Sequence, residues 1–109
     1  MKKYEVLTQL DVLIKTGDQL TESFERNTSG YRYYKSSQPE ARLRAFVTSA
    51  LATIVRIAGK DSEYYENIPQ EPLSSQDGLG PEKAFIEAVT GALTALRDAV
   101  DQGWLQSLE

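Results

Sequence analysis

Acid–base or metal chemistry in this chain would fall to Asp and Glu, because it contains neither His nor Cys. The commonest general base, the commonest zinc ligand and the thiolate nucleophile are therefore absent. Two carboxylate pairs stand one helical turn apart, Glu63 with Glu66 and Asp98 with Asp101. Such pairs could hold a divalent cation, but a working site needs several oxygen ligands converging in a pocket, and neither pair has the spacing of a known loop motif. Solvated helix faces account for both. Gly78-Leu79-Gly80 lacks the lysine and the preceding strand of a phosphate-cradling loop. The expectation is no enzyme, no metal and no cofactor.

A second chemistry is suggested by bases interleaved with aromatics: Arg26, Tyr31, Arg32, Tyr33, Tyr34, Lys35, Arg42 and Arg44. Tyr rings stack on unpaired bases while Arg and Lys hold phosphates. Against this, the sequence pI is about 4.9, and residues 61–109 carry ten Asp/Glu against Lys83 and Arg97. That half would repel a polyanion unless it faced away, so nucleic acid is disfavoured as a partner. The tyrosines could equally pack a connection onto the body of the protein with their hydroxyls wet.

Charge is sorted along the chain. Residues 1–25 carry a net −2, residues 26–60 a net +6 with Glu40 their only acid, and residues 61–109 a net −8. Segregated charge steers partners and fixes orientation without performing chemistry. Arg42, Arg56 and Lys60 project within about 40° of one another on a helix. They could pair with Glu87, Asp98 and Asp101 of the last helix inside one molecule, or with that helix in a neighbour. The second arrangement, being head to tail, could build open assemblies.

Helices must position these groups. Tyr4, Leu7, Leu10 and Leu13/Ile14 recur at helical spacing from about Lys3 to Lys15, and the pattern resumes at Leu20 and Phe24. Gly17-Asp18 either separates two helices or lies within a longer one. Asn27–Gly30 reads as a turn, and Tyr31–Lys35 as loop or a short helical turn. Ser37-Gln38-Pro39-Glu40 predicts a helix start capped by the hydroxyl, with Pro in the first turn. That helix runs to about Ala58 on a stripe of Leu43, Phe46, Val47, Ala50, Leu51, Ile54 and Ile57, and Gly59 stops it. Asp61 is a cap candidate for a short helix, Ser62 to Asn67. Residues 69–80 read as an internal loop. Pro81 starts the last long helix, with Phe85, Ile86, Val89, Leu93, Leu96 and Val100 as its stripe and Gly103 as its stop. The fold expected is all-α, a small helical bundle of three long helices plus short helices. No strand is expected, and residues 1–109 read as a single domain.

Two helices carry a second face of small residues: Ala84, Ala88, Gly91, Ala92, Ala95 and Ala99 on the last, and Ala41, Ala45, Ala52 and Val55 on the one before. Small residues let helices approach closely, so these faces either pack inside the molecule or meet a partner or a second copy.

Arg44-Ala45-Phe46-Val47-Thr48-Ser49-Ala50-Leu51, followed by Ile57-Ala58-Gly59-Lys60-Asp61-Ser62-Glu63-Tyr64-Tyr65-Glu66, resembles a pattern in helical accessory regions of prokaryotic defence-associated proteins. Those regions often stand N-terminal to TIR-like effector segments. A later helix ending near Gly, then an aromatic and Leu, is matched by Gly103-Trp104-Leu105, so the resemblance spans Gln38 to Leu108. It implies an adaptor role with no catalytic residues and an effector portion outside this chain.

The function expected is a non-enzymatic protein–protein interaction or self-association module, through Arg42, Arg56, Lys60, Glu87, Asp98, Asp101, Ala88 and Ala95. The alternative is a small acidic inhibitor, an antitoxin or phage-encoded antagonist, masking a basic site on a target protein. No apolar run approaches the ~20 residues of a membrane span, and a cytoplasmic location is expected.

Overall fold

The structure, a computed structural model, describes residues 2–26, 34–36, 38–68 and 83–103. The elements run α1 Lys3–Glu22, β1 Phe24–Arg26, β2 Tyr34–Ser36, α2 Glu40–Ala58, α3 Glu63–Glu66 and α4 Lys83–Gln102. The fold is all-α: three long helices carry the core, as their apolar stripes require.

α1 is one helix. Its buried positions Val6, Leu10, Gly17 and Leu20 fall on one side, and Gly17 belongs to that side rather than to a break. Glycine weakens a helix interior by roughly 0.5–1 kcal/mol relative to alanine, so its place here needs another cause. A Cβ at Gly17 would meet Thr90 Oγ1 inside contact distance and lie 2.8 Å from Phe46 Cζ. Gly17 is thus where α1 is crossed by both other long helices.

These contacts fix the directions. Lys3 Nζ donates to the Asp101 carbonyl at 2.8 Å, Asp11 pairs with Arg97 at 3.0 Å, and Gly17 faces Thr90, so α1 and α4 are antiparallel. Arg56 Nη2 donates to Gln9 Oε1 at 3.0 Å while Phe46 meets Gly17, so α1 and α2 are antiparallel as well. α2 and α4 therefore run parallel. The core between them contains Leu43, Val47, Ala50, Ile54, Ile86, Val89, Leu93 and Leu96, each at most 1% exposed.

Helix boundaries depart from expectation at two starts. α2 begins at Glu40 with Pro39 as its N-cap, extended at φ −60°, ψ 146°, and the Pro39 carbonyl accepts from the Arg42 and Leu43 amides. Proline already holds the φ that the flanking residue needs, which puts it one place earlier than the first turn. α3 is capped at Ser62, not Asp61: the Ser62 carbonyl accepts from Tyr65 and Glu66, and its hydroxyl donates back to the Gly59 carbonyl at 2.8 Å. Gly59 at φ 96° and Gly103 at φ 75° end α2 and α4 as expected. Tyr64 and Tyr65 pack against the core from α3.

β1 and β2 form a three-rung antiparallel ribbon, Phe24 opposite Ser36 and Arg26 opposite Tyr34. Residues 34–36 are thus neither loop nor helical turn. Three residues a side are too few for the alternation that marks a strand in sequence. Tyr31 to Tyr33, Ser37, the 69–80 loop, Pro81 and Trp104 lie outside the described residues.

Candidate functional site

Among the described residues the paired carboxylates do not converge. Glu63 and Glu66 are exposed on the single turn of α3, and Asp98 and Asp101 are exposed on α4 beside Arg97. Among the described residues no group of three Asp or Glu could hold a metal ion, and no helix is long and apolar enough to cross a membrane.

The charge pairing differs from the simplest expectation. Arg97, projecting from α4, donates from Nε to Asp11 Oδ1 at 3.0 Å and has Asp98 and Asp101 at 3.9 and 3.6 Å. The Asp11 hydrogen bond first, then its charge and those of Asp101 and Asp98, raise the Arg97 pKa above its ordinary value. Among the described residues the acids of the last helix are thus answered in part by its own Arg97, which Asp11 of α1 also engages, and not by α2.

Arg42, Arg56 and Lys60 are all exposed. Among the described residues none of the three is paired with a carboxylate, and Arg56 bonds the neutral Gln9. The internal pairing of this basic group with Glu87, Asp98 and Asp101 is thus not formed. The direction of α2 gives the reason: its buried side carries the apolar stripe toward α4 and α1, which leaves the arginines on the outside. Among the described residues, Arg44 alone of the bases on that helix is paired with a carboxylate, Glu40 one turn back.

The small-residue faces divide. On α2, Ala41, Ala45, Thr48, Ser49 and Ala52 are exposed and Val55 is half-buried. On α4, Ala99 is buried and Ala88 and Ala92 half-buried, while Ala84, Gly91 and Ala95 face out. Neither face is wholly consumed by packing. Beside the α4 face, Asp18 and Thr21 of α1 line a wide, shallow groove with Glu87, Gly91, Ala95 and Asp98. Asp18 and Thr21 were not marked by any spacing in the sequence, because only the antiparallel seating of α1 brings them there.

Gly91 is the second helical glycine, and a Cβ placed there would touch nothing within 4 Å among the described residues. Gly91→Ala is expected to raise stability by about 0.5–1 kcal/mol through helix propensity alone, read as a shifted midpoint in urea unfolding. An unchanged or lower midpoint would show a Cβ contact at this surface that the fold does not contain.

Comparison with family models, with curated proteins and with solved structures finds no match to this chain.

Proposed function

We propose that this chain is a non-enzymatic helical interaction module that associates with itself through the outward faces of α2 and α4. One observation carries the reading: the molecule keeps two exposed helix faces floored by small residues, one flanked by bases that have no carboxylate partner among the described residues and the other by acids, with Lys83 near Glu87 and Arg97 near Asp98. Small side chains lower the entropy lost on contact and admit a second helix closely. Flanking charges of opposite sign give approach and orientation. An enzyme of this composition would need converging carboxylates, and the exposed pairs on α3 and α4 instead point into solvent.

Placement within a larger bacterial defence or signalling protein is part of the same proposal and rests on the resemblance around Gly59-x-x-Ser62-x-Tyr64-Tyr65. Three local features fit that pattern: Gly59 stops α2, Ser62 is the N-cap of α3, and the two tyrosines seat α3 on the bundle.

Light scattering over a concentration series tests the reading. Molar mass should climb from one chain toward multiples at low salt and fall back at 1 M salt, where the screening length is about 3 Å. A mass of one chain at every concentration and salt would refute self-association.

A further inference from the structure

Resting on the self-association just proposed, the placement of charge and of small residues points to a particular geometry. We propose that the α2 face of one copy docks on the α4 face of a second copy, with the two helices parallel, in a head-to-tail contact.

The two faces share a spacing. Ala41, Ala45, Thr48 and Ala52 on α2 follow steps of four, three and four, and Ala84, Ala88, Gly91 and Ala95 on α4 follow the same steps. Steps of four and three keep residues in one row along a helix, the seam along which two helices meet at a shallow angle. Laid level, the rows set small residue against small residue over about 16 Å of axis. All of these except Ala88 are exposed, and Ala88 is half-buried.

The flanks decide direction. At about 100° per residue, Arg42 and Arg56 lie roughly 90° and 50° to one side of the α2 row. Glu87 and Asp98 lie roughly 70° and 50° to the opposite side of the α4 row. In a parallel pair opposite flanks meet, as e and g positions do in a parallel coiled coil. With Ala41 level with Ala84, Arg56 stands about one residue from the level of Asp98 and Arg42 about two from Glu87, so each pair is offset by roughly 1.5–3 Å of axis. An antiparallel pair would instead turn the two arginines toward the Ala92 and Ala99 side, where α4 offers no acid. The groove edge adds Asp18 beside the same flank, and Lys83 stands there too, 4.0 Å from Glu87, which leaves Asp98 and Asp18 as the stronger part of the acidic edge.

Because α2 and α4 run parallel within one molecule, parallel docking between molecules leaves every bundle pointing the same way. Each copy uses two different faces, so a dimer still presents one free face of each kind, and growth continues unless the rotation closes a ring. One helix pair falls below the ~1,200 Å² of standard interfaces, so the contact is weak and concentration-dependent.

The test blocks one face at a time with long neutral side chains, which forbid close approach and add no charge. Ala45→Gln with Ala52→Gln blocks α2; Gly91→Gln with Ala95→Gln blocks α4. All four sites are exposed, and thermal melts check that the fold stands; Ala52→Gln or Ala95→Gln alone serves if a double variant melts early. Each blocked protein should scatter as one chain, and their equimolar mixture as two chains and no more, because a single productive interface remains. A blocked variant that still associates like the wild type, or a mixture that stays at one chain, overturns the α2-on-α4 contact while leaving self-association standing. A wild-type protein that is one chain throughout overturns both.

Discussion

Gly17→Ala is expected to lower stability by about 2 kcal/mol, although alanine is the better helix former. The added methyl meets three neighbours that cannot all retreat. Thr90 Oγ1 is held by its bond to the Ile86 carbonyl at 2.8 Å, Thr90 Cβ lies 3.1 Å away, and Phe46 Cζ at 2.8 Å belongs to a buried ring. Relief would require α4 or α2 to move off α1, opening the core on both sides. The sign is the discriminating quantity. A glycine merely tolerated inside a helix would gain about 1 kcal/mol on becoming alanine, so a raised urea midpoint for Gly17→Ala would refute the crossing. The contrast with Gly91→Ala, the same substitution in open surroundings, controls for propensity. Thr90→Ala in the Gly17→Ala background should recover part of the loss and not all of it, because Phe46 and the Cβ of residue 90 remain.

Leu93→Ala should cost about 3 kcal/mol, from lost burial and from the cavity left where the surrounding side chains relax incompletely. Leu93 has no exposure and sits in mid-α4, the helix that packs on α1, α2 and α3. For a domain with total stability of about 5–15 kcal/mol, that is a large share. Chemical denaturation of the variant should show a lowered midpoint with an unchanged slope. A loss below 1 kcal/mol would mean that α4 is not the shared wall of the core. Together with Gly17→Ala, it separates two features of one interface: Leu93 fills space that only a large side chain can fill, and Gly17 yields its Cβ space to the side chains of Thr90 and Phe46.

The same comparison shows what could be seen in advance. The stripes of α2 and α4 were legible because each buries one side continuously, so apolar period and burial coincide at Leu43, Phe46, Val47, Ala50, Ile54 and Ile57, and at Phe85 to Val100. Gly59 and Gly103 were legible as stops because their positive φ is a local matter of backbone sterics. Gly17 was ambiguous, since a glycine that breaks a helix and one that admits a neighbour are the same letter. Of the candidate surface residues, Arg42, Arg56, Lys60, Glu87, Asp98, Asp101 and Ala95 are exposed and Ala88 is half-buried. Whom they face was not legible.

Sequence alone determined the inward stripes of α2 and α4 and the sorting of charge into a basic middle and an acidic end, because propensity, period and composition act within a few turns; on α1 it marked Tyr4, which is exposed, and passed over Val6, which is buried. Only tertiary structure decided that α1 lies antiparallel to both other long helices, that Arg97 answers Asp11 from α1, and that the α2 arginines point away from α4. Those outcomes depend on which stripe meets which. That choice is set by packing between segments as far apart as Lys3 and Asp101, where no local rule reaches.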